Sequence, residues 1–242
     1  MIIYVQRKFI AKFGSLLSKV VNIMTIIKSL LSGLALIGMC NVVFAGLLQV
    51  NVLDKDGKPV PDAVVVLLSP NLGSPKIALP LQISIYQEKM RFIPAVSIVA
   101  VGAKARFTNN DPWEHHVRGS AAGVMQFNAD TADGFILRMD GKAEGKAAKM
   151  AEAVFDKAGA ILLGCHLHAS MRGHVYVSDS PWAALTNAEG ITNFDAVPDG
   201  AVQVKVWHAD QFIDIAPQRV NLTAASAKVT MNLTVVPRKK RA

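Results

Sequence analysis

The chain has 242 residues, of which 51% are hydrophobic, and a formal net charge of +8 from 26 basic and 18 acidic side chains. Five of the basic residues and none of the acidic ones fall within the first 45 residues. The part beyond residue 45 therefore carries 21 basic and 18 acidic side chains, a net charge of +3. The net charge of +8 for the whole chain would favour a nucleic-acid-binding protein, but a net charge of +3 is ordinary and gives no support to that function.

The first 45 residues are predicted to be a leader that ends in a secretory signal peptide. Residues 29–45 form an apolar run after Lys28, and small side chains occupy the two positions that signal peptidase reads before a cut after Ala45. The run is too short for a good membrane span, so no stable span is expected after cleavage. Met24 opens a conventional signal by itself, which leaves open whether residues 1–23 are translated. The expected destination is the periplasm.

Removal of the leader leaves one cysteine in the exported chain. Cys40 departs with the signal, whereas Cys165 stays. A lone cysteine in an oxidising compartment has no partner within its own chain for a disulfide. It is either a buried, inert thiol or a thiolate held by a metal, and the residues around it decide between these two hypotheses.

Beyond the leader, short β-type runs follow one another at close spacing. Turn signals such as Asp56-Gly57 and Pro198-Asp199-Gly200 separate them. Residues 142–153 look helical, but Gly145 weakens the pattern, and we interpret the stretch as a Lys-rich, solvated excursion between strands. Many short strands predict an all-β fold built of sandwiches. The runs are LLQVNVLD, AVVVLL, AVSIVAV, KARFTN, FILRM, AILLGC, HVYVSD, VQVKVWH and KVTMNLTVV.

A loop between two apolar strands carries the strongest chemical pattern. Cys165, His168 and Met171 stand at positions i, i+3 and i+6 between the runs AILLG and HVYV. A copper ion that alternates between Cu(I) and Cu(II) prefers a soft thiolate, two imidazoles and a weak, long thioether bond. The loop can supply all of these except one imidazole. The pair His115-His116 can supply it, and because neighbouring residues of an extended segment face opposite ways, only one of the two is expected to point inward.

These two histidine-containing segments resemble the cupredoxins, the small blue copper proteins. The run Cys-x2-His-x2-Met-Arg-Gly from Cys165 to Gly173 is similar to the short ligand loop of amicyanin, and Val175 and Val177 alternate after it. Upstream, the pattern of a strand that leads to the first histidine ligand is matched by Phe92-x-Pro94, Gly102, Phe107-x-Asn109 and His115. The resemblance spans residues 83–179 and implies a cupredoxin Greek-key sandwich with electron transfer as its function.

A wider pattern is closer still to the methylamine-utilisation type of cupredoxin-like protein. It consists of Asn109-x-Asp111-x3-His115-His116-Val117, Phe155-Asp156-Lys157-x-Gly159 and Gly164-Cys165. The resemblance implies one copper ion bound by His115, Cys165, His168 and Met171. His116, His166 and Asn109 are expected beside these ligands without binding the metal, and His116 replaces an Asn that ties the two ligand loops together in many relatives. His174 is expected to point outward or to lie beside the ligands, and His208 to lie at the surface.

The flanks of this segment carry a second pattern. Residues 48–68 and 185–207 together resemble the small carboxypeptidase-regulatory-like β-sandwich, through Val-x-Asp-x2-Gly-x-Pro-x3-Ala-x-Val, Thr-x3-Gly and Val-Pro-x-Gly. Two or three short strands are marginal alone, so neither flank can bury its own apolar face. We therefore predict one β-sandwich from residues 46–80 plus 181–242, with a cupredoxin domain, residues 81–180, inserted between them. In the alternative, the N-terminal strands join the cupredoxin sheet.

Three functions of different classes are compatible with these patterns. The first is an exported type 1 blue-copper protein that carries single electrons between redox partners, such as a c-type cytochrome or a dehydrogenase. The second is a periplasmic copper carrier, for which the ion is cargo. The third is a β-sandwich binding module with a vestigial metal site. The complete ligand set favours the first, and neither a nucleophile–base pair nor an open metal position indicates an enzyme.

Overall fold

The computed structural model describes residues 45–69, 73–123, 134–223 and 225–238. The elements of these residues are strands, so the all-β fold class predicted from the sequence is confirmed. No helix in this part of the chain is long and apolar enough to cross a membrane. In chain order the strands are β1 (Ala45–Leu53), β2 (Val64–Leu68), β3 (Gln82–Glu88), β4 (Arg91–Ile93), β5 (Val96–Ala100), β6 (Ala103–Asn109), β7 (His115–Ala121), β8 (Phe135–Met139), β9 (Lys149–Phe155), β10 (Gly159–Cys165), β11 (Arg172–Ser178), β12 (Ala183–Leu185), β13 (Ile191–Pro198), β14 (Gly200–Trp207), β15 (Gln218–Leu222) and β16 (Ala227–Asn232).

The strands of the two flanks form two sheets around one aliphatic core, and we call this unit the flanking sandwich. In one sheet β1 lies between β13, to which it is antiparallel, and β16, to which it is parallel. The other sheet has the order β12-β2-β14-β15, with antiparallel pairs throughout. Side chains of β1 alternate between its faces, so that Leu48, Val50 and Val52 are fully buried in the same core as Val65 and Leu67 of β2.

The strand order shows that strands of the two flanks pair with one another. Within the described ranges, β1 and β2 pair in sheets only with strands from residues 183–232. In these ranges, β1 and β2 do not join the sheets that contain His115 and Cys165. The division of the chain at 46–80 plus 181–242 and at 81–180 stays a prediction.

The strands between the flanks form a second pair of sheets, which we call the central sandwich. Their orders are β5-β11-β10-β7-β8 and β4-β3-β6-β9. Strand β6 buries every second residue, and Phe107 packs with Phe92 and Leu163 in a core that also contains Cys165. Strands β7 and β10 are antiparallel, with Cys165 opposite Val117. This pairing brings both predicted ligand segments to one end of the central sandwich.

Residues 142–153, predicted to be a solvated excursion, contribute to a strand instead. Lys149–Phe155 form β9, which pairs antiparallel with β6 at the edge of its sheet. Burial alternates along it, because Ala153 and Phe155 are buried whereas Val154 is exposed. This period of two is typical of a strand with one face on a core. The Ala and Lys residues of this stretch have low strand propensity, so the sequence alone does not indicate a strand here.

Aromatic side chains fill the space where the two sandwiches meet, and His174, Tyr176 and Trp207 are named here the aromatic junction. The ring centroid of Trp207 lies 5.5 Å from that of His174 and 5.7 Å from that of Tyr176. Val64 and Val66 of β2 belong to the same buried cluster as Tyr176 and Trp207. Because β11 follows directly after Met171 and carries both His174 and Tyr176, the junction connects the flanking sandwich to the strand that follows the Cys165–Met171 segment, which we call the ligand loop after its predicted role.

Two histidines outside the ligand loops lie deeper than predicted. Burial lowers the pKa of His174 from 6.5 to about 4, although the charge of Asp210 opposes the shift. Burial also lowers the pKa of His208, whose Nδ1 accepts a hydrogen bond from the backbone N–H of Asp210 at 3.1 Å. His174 and His208 are each partly buried, so both rings have some access to solvent. Packing against Trp207 covers His174, and His208 sits in the turn that follows β14.

Candidate metal centre

Three of the predicted ligands converge at one end of the central sandwich. His115 begins β7, Cys165 ends β10, and His168 lies in the loop after β10. The Sγ of Cys165 lies 3.5 Å from Nδ1 of His115 and 3.5 Å from Nδ1 of His168. One ligand atom from each of the three residues lies within 4.8 Å of the others. The two imidazole rings meet edge to face, with centroids 5.0 Å apart and planes inclined at 68°.

These separations suit a single first-row transition-metal ion. Bonds of about 2.0 Å to nitrogen and about 2.3 Å to sulfur, at angles of roughly 110° to 120°, place the sulfur about 3.5 to 3.8 Å from each nitrogen. The observed separation of 3.5 Å on both sides lies at the lower end of that range. One thiol and two imidazoles favour copper or zinc over hard cations such as Mg²⁺. The side chains present therefore fit the kind of ion predicted from the sequence.

The fourth predicted ligand, Met171, closes the ligand loop. Its backbone N–H donates to the C=O of His168 at 2.9 Å, and the N–H of Cys165 donates to the C=O of Met171 at 3.3 Å. A further bond runs from the N–H of His168 to the C=O of Cys165 at 3.3 Å. These bonds fold the loop back on itself, and the Met171 side chain is buried in the same core cluster as Cys165. A bond from Met171 to the metal stays a prediction.

His115 is the inward member of the histidine pair, and its Nε2 contacts the carboxylate of Asp111. The ring is fully buried, with Nδ1 toward the sulfur of Cys165 and Nε2 at 2.9 Å from Oδ2 of Asp111. A carboxylate can only accept a hydrogen bond, so the proton of the neutral imidazole belongs on Nε2. The lone pair of Nδ1 then faces the place where the three ligand atoms converge.

Asp111 contacts His115 directly, although no role was predicted for it from the sequence. It is buried, and its carboxylate accepts hydrogen bonds from the backbone N–H groups of Lys89 at 2.6 Å and Met90 at 3.0 Å. Burial raises the pKa of this carboxyl, but the Met90, His115 and Lys89 contacts outweigh it and keep the pKa below its ordinary value. The available signal was the spacing, because Asp111 stands four residues before His115 in a segment between two strands.

Asn109, expected beside the ligands, acts on the backbone instead of on the imidazoles. Its Nδ2 donates to the backbone C=O groups of Trp113 at 2.9 Å, Met139 at 3.2 Å and Asp140 at 3.0 Å. Its Oδ1 accepts the N–H of Asp111 at 3.0 Å. The fully buried amide therefore fixes the segment between β6 and β7 from inside, and it supports His115 through the position of Asp111.

His116 and His166, the other two residues expected beside the ligands, turn their side chains away from the converging atoms. Nε2 of His116 lies 2.7 Å from Oε1 of the exposed Glu114, and the His166 side chain is exposed. The backbone N–H of His166 donates to the C=O of His116 at 3.0 Å. The two ligand loops are thus tied by a main-chain bond, and no Asn side chain is needed at position 116.

Burial is uneven around the converging atoms. His115, Cys165 and Met171 are buried, whereas His168 is partly exposed and its neighbour Leu167 is 48% exposed. Among the three residues whose ligand atoms converge, His168 is the one with a path to solvent. A partner molecule that approaches the centre along the ligand loop would meet the His168 ring and the Leu167 side chain first.

Comparison with known proteins finds similarity to solved cupredoxin structures. A purple cupredoxin from Nitrosopumilus maritimus is 18% identical over 39% of this chain and 98% of its own, with a TM-score of 0.27. An amicyanin mutant in its reduced state is 19% identical over 47% of this chain and 99% of its own, with a TM-score of 0.29. Another reduced amicyanin mutant is 21% identical over 47% of this chain and 98% of its own, with a TM-score of 0.29. No protein-family model and no curated protein matches the chain.

Proposed function

We propose that this chain is an exported type 1 copper protein that carries single electrons. One copper ion would be held by Cys165, His115 and His168, with Met171 as a weak fourth ligand. The observation that carries the proposal is the convergence of one thiol and two imidazole nitrogens, with the sulfur 3.5 Å from each nitrogen at the buried end of a β-sandwich. This donor set is the one that copper prefers when it exchanges one electron.

The protein's part in this function is to hold the ligands in one arrangement. Strand pairing between β7 and β10 fixes His115 against Cys165, and backbone bonds inside the ligand loop fix His168 and Met171. Copper would supply the one-electron change between Cu(I) and Cu(II). Because the ligands are already placed by main-chain hydrogen bonds, little rearrangement of the chain should accompany that change, which favours fast electron exchange.

Electron exchange also requires contact between the centre and a partner. The partly exposed His168 would connect the site to the surface, and Leu167 offers an apolar contact beside it. A redox protein in the periplasm, such as a c-type cytochrome or a dehydrogenase, suits such a contact. An enzyme is disfavoured, because four protein ligands would leave no open position on the metal for a substrate.

Two other functions remain as alternatives to electron transfer. A periplasmic copper carrier would treat the ion as cargo, but sites that hand over Cu(I) favour several thioethers or paired thiolates. A binding module with a vestigial site would be free to lose ligands, whereas His115, Cys165 and His168 still converge. Both alternatives predict a protein that does not cycle between two copper oxidation states.

The decisive experiment is to add Cu(II) to the purified chain from Gly46 onward. We expect one copper per chain, a strong visible absorption from the Cu(II)–thiolate bond, and reversible bleaching by a one-electron reductant. Cys165→Ser should remove the colour while Ser170→Ala, in the same loop, keeps it. A copper-loaded wild-type protein without colour would contradict the proposal, and a coloured protein that cannot be reduced and reoxidised would favour the carrier.

A further inference from the structure

Two neighbouring carboxylate–histidine pairs occupy the segment that leads into β7, and they differ in burial. Oδ2 of Asp111 lies 2.9 Å from Nε2 of His115, with side chains 4% and 0% exposed. Oε1 of Glu114 lies 2.7 Å from Nε2 of His116, with side chains 46% and 15% exposed. The exposed pair is an ordinary feature of a solvated loop. The buried pair calls for an explanation, because burying a carboxylate costs free energy unless its oxygens accept hydrogen bonds.

The chain holds the Asp111 carboxylate from a second direction as well. The backbone N–H of Lys89 donates to Oδ1 at 2.6 Å, and that of Met90 donates to Oδ2 at 3.0 Å. Both donors have left-handed backbone, with φ of 53° and 58°, which residues other than glycine seldom adopt. Asn109 accepts the N–H of Asp111 and fixes its main chain. The turn between β3 and β4, the carboxylate and the His115 ring therefore form one connected series of hydrogen bonds.

This series acts on the one histidine that faces the sulfur from full burial. The carboxylate keeps the proton of His115 on Nε2 and prevents the ring from rotating, so that Nδ1 is the atom presented to a metal. The negative charge beyond Nε2 also makes Nδ1 a stronger electron donor. A stronger donor stabilises Cu(II) more than Cu(I), because the ion of higher charge gains more from it.

We propose that Asp111 is a positioning residue for His115 and that it lowers the reduction potential of the copper site, with the Lys89–Met90 turn as its anchor. The effect on the potential rests on the proposed function. The effect on the imidazole does not, because it follows from contacts within the chain alone. The two parts can therefore be tested separately.

The first test uses the metal-free wild-type protein. Long-range ¹H–¹⁵N spectra distinguish a neutral imidazole with its proton on Nε2 from one with its proton on Nδ1. We expect His115 in the Nε2–H form and the exposed His166 as an exchanging mixture of both forms. A His115 ring with its proton on Nδ1 would overturn the proposal. No variant is needed, so the result holds even if substitutions at Asp111 prevent folding.

The second test compares two charge-neutralising variants of the copper-loaded protein. Asp111→Asn should raise the reduction potential, so that the equilibrium constant for reduction increases at least about tenfold, which is 59 mV for a one-electron couple. Glu114→Gln removes the same charge from the same segment and is expected to change that constant less than about twofold, since exposed charges are screened. Asp111→Glu restores the charge and should return the potential toward the wild-type value.

The outcomes separate this inference from the function on which it rests. Equal shifts in Asp111→Asn and Glu114→Gln, or a lowered potential in Asp111→Asn, would overturn the role of Asp111 while leaving a coloured, redox-active protein. A wild-type chain that forms no coloured copper site would overturn the proposed function and the effect on the potential together. The spectra of the metal-free protein would then still decide whether Asp111 positions His115.

Discussion

The two sandwiches bury polar groups for different purposes. In the flanking sandwich, buried polar side chains bond to the main chain: Oγ1 of Thr186 donates to the C=O of Val60 and accepts the N–H of Ala63. Gln211 likewise donates to the C=O of Ile213 and accepts the N–H of Thr234. In the central sandwich, the buried side chains of Asn109, Asp111, His115 and Cys165 lie together at one end, where Asn109 accepts the N–H of Asp111, Asp111 contacts His115, and His115 lies 3.5 Å from Cys165.

This difference indicates where the function lies. A buried polar side chain that hydrogen-bonds to the backbone offsets the free-energy cost of its own desolvation, so its burial is explained without a functional role. At the end of the central sandwich, one thiol and two imidazole nitrogens point at the same place, where they could bind a metal ion. Buried titratable groups in such an arrangement are typical of functional sites. The flanking sandwich is therefore expected to control stability, and the end of the central sandwich to control chemistry. The predictions below separate these two contributions.

The largest expected effect comes from the two neighbouring histidines. His115→Ala should abolish or badly distort the coloured copper site, because it removes the buried imidazole that we propose as a ligand. His116→Ala should keep a coloured protein with a modest spectral shift, because that ring contacts Glu114. Visible absorption per bound copper checks both. A coloured His115→Ala together with a colourless His116→Ala would move the ligand by one residue and contradict the site described here.

A large effect of the opposite kind is expected in the flanking core. Leu48→Ala should lower the free energy of unfolding by about 2–5 kcal/mol, because it leaves a cavity in a fully packed aliphatic cluster. The neighbouring Leu47 is 38% exposed, and Leu47→Ala should change stability by less than about 0.5 kcal/mol. Urea unfolding of the metal-free protein measures both. Below the unfolding transition, neither variant should shift the absorption maximum of the copper-loaded protein, and a shift in Leu48→Ala would refute the separation of roles.

The aromatic junction should make stability depend on pH. The pKa of His174 is lowered to about 4 by burial, whereas in the unfolded chain it is 6.5. Between these values the unfolded state binds more protons, so the free energy of unfolding is highest above pH 6.5 and falls as the pH drops toward 4. At about 1.4 kcal/mol per pKa unit, the loss is at most about 3.5 kcal/mol. The lowered pKa of His208 acts in the same direction.

Substitution of His174 isolates its contribution to this pH dependence. His174→Gln should flatten the fall in unfolding free energy between pH 6.5 and 4, as measured by urea unfolding of the metal-free protein. His166→Gln replaces an exposed imidazole and should leave the dependence as it is. Identical slopes in the wild type and in His174→Gln would show that the junction is open to water.

Much of the fold follows from local patterns in the sequence. Alternation of apolar side chains and the spacing of turns predicted most strands, and the i, i+3, i+6 spacing of Cys165, His168 and Met171 predicted the ligand loop. Because strand residues alternate faces, only one of His115 and His116 was expected to point inward, and the resemblance to cupredoxins selected His115. The predicted runs leave out β3, β4, β7, β9, β12, β13 and β15. In β9 the Lys, Ala and Glu residues have low strand propensity and conceal the alternation.

The features that escaped prediction depend on contacts between distant parts of the chain. Asp111 is held by backbone groups of Lys89 and Met90, which lie 22 and 21 residues earlier and expose no pattern that points to it. The His174 ring packs against Trp207, which belongs to the other sandwich. Neither role can be inferred from the residue's neighbours, because each arises only when two segments that no local pattern connects are packed together.

The smallest expected effect tests the fourth ligand. Met171→Leu should keep the colour and raise the reduction potential, because loss of the weak thioether bond destabilises Cu(II) more than Cu(I). We expect the equilibrium constant for reduction to change about tenfold, or about 1.4 kcal/mol. Met139→Leu is the matched control, because Met139 is buried in the same core. Its sulfur accepts a weak hydrogen bond from the Gln87 amide at 3.9 Å and is not a proposed ligand. Equal potentials in Met171→Leu and the wild type would mean that Met171 packs the core without binding the metal, and the centre would then be a three-ligand site.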